Sequence, residues 1–211
     1  MTHMFRSALF LLALLTALPA QAAVTITFWS HELGNSFPHA FFTLRGVPEA
    51  GGAPVDVNYG FTAKSLSPAI LMGSVKGKLD IAKPAYMRGS DAQFSVQLTD
   101  AQYTQVLALV SAWDEKSGDA RYDLGTRNCV HFVQEAARRS GLVNVQFPKL
   151  MKKPRSYLKA VAAANPGSVT VIGQSGKTYL DALPALAPAT VGPVATAAPA
   201  APAALTPAPA R

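Results

Sequence analysis

Cys129 is the lone cysteine in 211 residues, and its surroundings suit a nucleophile. It follows Asn128 and precedes apolar residues at helical spacing, Val133 and Ala136, with Gly141 beyond them. Asn128 therefore reads as a helix N-cap, Cys129 as about the first helical residue, and Gly141 as the stop after Ser140. The free N–H groups and partial positive charge of a helix N-terminus favour thiolate over thiol. The same N–H groups suit an oxyanion on a substrate carbonyl, which makes Asn128 the cap of an oxyanion site. A base must come from elsewhere in the fold. His131 turns about 200° away from Cys129 on the helix and reads as a structural or surface histidine. His3 lies in the leading segment, which leaves His31 and His39. His39 opens a β-rich run, where its ring would be held rigidly, whereas His31 falls in a loop with Gly34 and Asn35, so His39 is preferred. A third polar group should orient the imidazole. Asp56 and Asn58 share one face of the following strand with Gly60 by the two-residue period, and either could accept from the ring N–H; Asn58 is chosen, with Asp56 left open.

The elements that must position these residues follow from the pattern. Strands are expected over 24–29, 39–44, 55–59, 78–81 and 93–98, the second and third forming a hairpin. Residues 30–38 read as a loop and 64–77 as irregular, with Ser, Pro and Gly punctuation. Thr99 and Gln102 form a capping box before Val106, Leu109, Val110 and Trp113, which predicts a helix to about Lys116. Residues 118–127 read as a loop, 155–164 as a further helix and 169–172 as a last strand. Strands first and helices after them place the chain in the α+β class.

The ends read differently. Arg6, the uncharged apolar run 8–18 and Ala20-Gln21-Ala22 form a secretory signal, residues 1–22, cut near Ala22–Ala23. The expected location is therefore periplasmic or secreted. Residues 182–211 are nearly all Ala, Pro, Val, Leu and Thr, with prolines at 184, 188, 193, 199, 202, 207 and 209. That spacing forbids a helix and predicts a disordered, partly extended tail. One compact domain, 23–181, remains. No later stretch is long and apolar enough to span a bilayer. The chain carries a formal charge of +7, and residues 136–180 contain no Asp or Glu while holding Lys149, Lys152, Lys153, Arg155 and Lys159. Such a patch suits an anionic partner, a cell-wall polymer such as peptidoglycan or lipid headgroups. No nucleic-acid module, metal-ligand spacing, dinucleotide fingerprint or phosphate loop is present, so no nucleic acid, metal or cofactor is expected.

Arg127-Asn128-Cys129-Val130-His131-Phe132-Val133, with Arg138-Arg139-Ser140-Gly141 behind it, resembles the Asn-Cys-x-His-Phe motif of the lecithin retinol acyltransferase family. That family lies in the circularly permuted branch of the NlpC-like, papain-like hydrolases, where the histidine strand precedes the cysteine helix, as Pro38-His39-Ala40-Phe41 does here. The resemblance implies a permuted papain-like domain, an antiparallel sheet packed against helices with the nucleophile at a helix N-terminus. It implies Cys129 as nucleophile, His39 as base and a polar residue on the next strand, which Asn58 matches. The activity expected is that of an exported cysteine hydrolase cleaving an amide, with a peptidoglycan peptide favoured, through an acyl-enzyme. The alternatives are lipid acyl transfer or phospholipase-like cleavage on the same site, and a non-catalytic envelope binding module with Cys129 buried. The signal, the longer turn between the second and third strands and the Ala/Pro tail depart from the eukaryotic acyltransferases.

Overall fold

The computed structural model describes residues 23–32, 37–65 and 67–186; the expected signal and most of the expected tail lie outside them. Seven strands form one antiparallel sheet in the order β6-β4-β3-β2-β1-β5-β7. They are β1 (Val24–His31), β2 (His39–Gly46), β3 (Val55–Ala63), β4 (Val75–Asp80), β5 (Asp91–Leu98), β6 (Arg121–Tyr122) and β7 (Thr170–Ser175). The helices are α1 (Pro84–Arg88), α2 (Asp100–Trp113), α3 (Cys129–Arg139), α4 (Pro154–Ala164) and α5 (Gly176–Ala182). This is an α+β fold, as the order of periods predicts.

Both faces of the sheet are covered, because its central strands carry apolar residues at odd and even positions. On the front face, Ile26, Phe28, Ala40, Phe42 and Leu44 pack against α2, α3 and α4 through Leu109, Phe132, Val133, Tyr157 and Leu158. On the back face, Trp29, Phe41 and Ala92 form a smaller cluster under Tyr86 and Met87 of α1 and Tyr179 and Leu180 of α5. Each fully buried Phe or Leu contributes roughly 1.5–3 kcal/mol to stability by leaving water.

The capping box of α2 forms as its sequence dictates: Gln102 N–H donates to Thr99 Oγ1 at 3.3 Å and Thr99 N–H to Gln102 Oε1 at 3.0 Å. α3 ends at Arg139, and Gly141 follows with φ +91°, the left-handed conformation that a helix stop requires. Several expectations are corrected. β1 runs on to His31, which pairs with His39 across the β1–β2 ladder, so His31 is a strand residue and not a loop residue. β3 continues to Ala63 because β4 pairs with it from Gly60 to Ala63. The stretch 64–77 contains a 3-10 turn at Pro68–Leu71 and the start of β4. α2 ends at Trp113 rather than near Lys116. The short helices α1 and α5 have too few residues to display a period; both are additions to the expected elements, as is the two-residue β6, which pairs with β4 from within the expected loop 118–127. α5 extends to Ala182, one residue into the expected tail.

Candidate active site

Cys129 is the first residue of α3, and Asn128 is its N-cap. Asn128 is 2% exposed. Its Oδ1 accepts from the N–H groups of Val130 at 2.8 Å and His131 at 3.2 Å. Its Nδ2 donates to Leu124 O and to Met151 O, both at 2.8 Å. One side chain thereby fixes the helix start, the loop before it and the segment before α4. His131 lies at N3, where its Nδ1 accepts from the Asn128 N–H at 3.2 Å in a capping box. There it completes the cap, on the side of α3 turned away from Cys129.

The thiol is buried, with Cys129 7% exposed. Burial pushes its pKa up to about 11, and the N–H groups of Ala40, Val130 and Cys129 itself pull the other way. The helix N-terminus thus acts in the expected direction, but desolvation outweighs it in this state. Ala40 immediately follows His39, so the sulfur reaches the first residues of β2. The β2–β3 ladder begins only at Phe41–Gly60. Tyr122 also lies close: burial first, and then Cys129, raise its phenol pKa.

His39 sits on the other side of β2. Strand alternation places it with Phe41, whose ring lies parallel to it at 6.2 Å, while Ala40 packs into the front core with Cys129. The imidazole lies against Gly60, where an added Cβ would come within 2.5 Å of Nε2. Only glycine leaves that space. Nε2 is buried and has no hydrogen-bond partner among the described residues. Burial lowers the ring pKa to about 4; the carboxylate of Asp80 opposes this and His31 adds to it. Asp80 pairs with Gly60 across the β3–β4 ladder and so faces the same side. The structure therefore brings Cys129 and His39 to one end of β2, from opposite faces of the strand.

Asn58 shares this face but does not reach the imidazole. Its Oδ1 accepts from Ala82 N–H at 2.6 Å and its Nδ2 donates to Ala82 O at 3.1 Å. Both halves of the amide serve to hold the chain entering α1. Asp56 is further along β3, where Arg45 Nε donates to it at 3.3 Å. The charged group nearest in effect to His39 is Asp80, which the two-residue period within β3 could not reveal because it lies on the next strand. His31 is as firmly held as His39: its ring stacks on Tyr86 at 4.2 Å and its Nδ1 lies 3.1 Å from Ser90 Oγ. Since Ser90 Oγ donates to Tyr86 O at 2.8 Å, the His31 Nδ1–H is the donor to the hydroxyl. Rigidity does not separate the two histidines; they differ in that His39 Nε2 is buried without a hydrogen-bond partner among the described residues, whereas His31 Nδ1 is bonded to Ser90. No group of three or more His, Cys, Asp or Glu that could hold a metal ion occurs among the described residues.

No protein-family model matches the chain, and no curated protein matches it. Among solved structures, the crystal structure of a type VI secretion system effector, TseH, aligns with 69% of this chain and 91% of its own, at 14% identity and a TM-score of 0.46.

Proposed function

We propose that the chain is an exported cysteine hydrolase of the permuted papain-like kind, cleaving an amide in a cell-wall peptide. The observation that carries this reading is the junction at the start of β2. A thiol at a helix N-terminus lies in one buried cluster with Ala40, whose N–H pulls its pKa down, and the residue before Ala40 is a buried histidine with an unpartnered Nε2. The Asn-Cys-x-His-Phe motif and the strand order support it.

At neutral pH both groups are uncharged in the resting state, His39 above its pKa of about 4 and Cys129 below its pKa of about 11. His39 then acts as a general base rather than as half of a standing ion pair. Its Nε2 takes the thiol proton as the sulfur bonds to the carbonyl carbon and the carbonyl electrons move to oxygen. The Cys129 N–H, at the open start of α3, donates to that oxyanion. Imidazolium returns the proton to the leaving nitrogen as the C–N bond breaks. Water, deprotonated by His39, attacks the thioester, and the thiol leaves with the proton. Asp80 is a positioning residue whose charge favours the imidazolium formed in each half-reaction. Approach of the imidazole to the sulfur requires the ring to turn past the edge of β2 when substrate enters.

The test is turnover of purified wall peptides by the mature chain, Cys129→Ala and His39→Ala. Loss in both variants with unchanged folding is expected. Turnover that survives Cys129→Ala overturns the reading. The buried thiol, 7% exposed, favours a second reading, a binding module on the same scaffold. That reading requires Cys129 to resist iodoacetamide in the presence of wall peptides as well as in their absence.

A further inference from the structure

Beside the start of α3 lies a cleft of about 600 Å³, lined by His131, Gln134, Gln146, Lys149, Lys152 and Lys153, with Gly125, Pro148 and Met151 between them. It carries three lysines and no carboxylate. None of the three lysines has an ion-pair partner among the described residues. Lys76, Lys78, Lys83, Lys116 and Lys159 have no ion pair among the described residues either. What marks these three is that they converge on one concave wall, in a stretch, residues 136–180, that lacks Asp and Glu. Three like charges lining one concave surface repel one another and raise its potential; an anionic ligand relieves that cost.

The cleft is fixed relative to the nucleophile. Asn128 Nδ2 donates to Met151 O at 2.8 Å, which ties the segment bearing Lys149, Lys152 and Lys153 to the residue before Cys129. Gln134 Nε2 donates to Val145 O at 2.9 Å and holds the opposite wall. The cleft is therefore tied to the start of α3 and opens on its His131 side, round the helix from Cys129, so a ligand that reaches both must be an extended one.

We propose that this cleft is a substrate subsite that binds the carboxylates of an acidic peptide. The assignment deepens the hydrolase reading and rests on it for the word substrate, while the binding itself does not. Two features favour a peptide over other polyanions. The lining has no Trp, Tyr or Phe on which a base would stack. Gln134 Nε2 is taken up by Val145 O and Gln146 Oε1, which leaves the Gln146 amide N–H groups free to donate to the carbonyls of a peptide backbone.

The experiment measures binding of a short poly-glutamate peptide to the full chain carrying Cys129→Ala, so that no turnover intervenes. Compared are the otherwise unaltered chain, the triple variant K149E/K152E/K153E, and a control with Lys159→Glu and Lys177→Glu, two lysines outside the cleft. Expected is binding that weakens with added salt, falls roughly tenfold or more in the triple variant, and survives in the control. Equal binding in all three chains overturns the site. Tighter lysine-dependent binding of duplex DNA, or of vesicles containing an anionic phospholipid, than of poly-glutamate overturns the assignment to peptide. In the catalytic chain, the triple reversal should raise KM for a wall peptide with free carboxylates more than it lowers kcat. Lysine-dependent peptide binding without turnover of any wall peptide would leave the cleft standing and remove the hydrolase reading.

Discussion

His39 has a depressed pKa, so the native state resists its protonation. The unfolded chain takes up that proton near the ordinary value of 6.5, and the folded chain only near 4. Stability from this group is therefore complete above about pH 6.5 and lost as pH falls through 4, up to roughly 3 kcal/mol. Urea melts between pH 7.5 and 4 should show this loss, and His39→Gln should remove most of it. The same pair sets the pH–rate profile. The productive protonation state lies between the His39 pKa of about 4 and the Cys129 pKa of about 11, so kcat/KM should be flat across neutrality with an acid limb near pH 4. Free Cys129 should correspondingly label slowly with iodoacetamide at pH 7 and faster as pH rises towards 11. A plateau reached below pH 7 would mean that a thiolate–imidazolium pair already stands in the free protein. Gly60→Ala tests the contact on which His39 rests: the new Cβ would lie 2.5 Å from Nε2, forcing the ring to move. We expect a loss of turnover of at least about tenfold, since misplacing a catalytic group by about 1 Å can cost more.

At the scale of the element, Asn128 and Asn58 are the two amides that lock backbone around the site, and they differ in what was readable. Asn128 lies one residue before a helical period, a local signal, and its capping role follows from sequence. Its further bonds to Leu124 O and Met151 O join segments that only the fold brings together. Asn128→Ala should cost about 3 kcal/mol, a lost cap plus two buried carbonyls left without donors, measured as a lower denaturation midpoint with α3 amides exchanging faster. Asn58 carried the right face but the wrong partner. Period two fixes its side of the sheet, yet not that α1 would bring Ala82 within 2.6 Å of its carbonyl oxygen. The central strands, the long helices and the Cys129–Asn128 pair were legible because each is encoded over a few adjacent residues, whereas β6, two residues inside an expected loop, carries no pattern of its own. The roles of Asp80, Ala40 and Gly60 were not, since they depend on the register between β2, β3 and β4. Asn58→Ala should accordingly destabilise the fold by about 1–3 kcal/mol through the unsatisfied Ala82 groups while leaving the acid limb of the rate profile in place; Asp80→Asn should shift that limb to lower pH.

At the scale of the molecule, the sheet separates two layers of unequal depth. The front layer buries α2, α3 and α4 on a continuous core, whereas the back layer rests on Trp29, Phe41 and Ala92 beneath two short helices. α1 and α5 are joined at the surface by Arg88 and Asp181 at 2.7 Å, an exposed pair that adds little. Their hold on the sheet comes mainly from Tyr179, whose ring meets Trp29 edge-on at 5.4 Å and whose hydroxyl lies 3.2 Å from Thr27 Oγ1. With Cys129 in the front layer and His39 in the back one, the proposed chemistry needs both layers, but the back one should open first because it buries less. Tyr179→Ala should lower stability by about 2 kcal/mol, less than truncation of a fully buried aromatic. Hydrogen exchange should then quicken in α1, α5 and β7 while α2 and α3 keep their protection. Equal acceleration in α3 would show instead that the two layers unfold as one unit, and that the imidazole cannot be released from its burial without loosening the helix that carries the thiol.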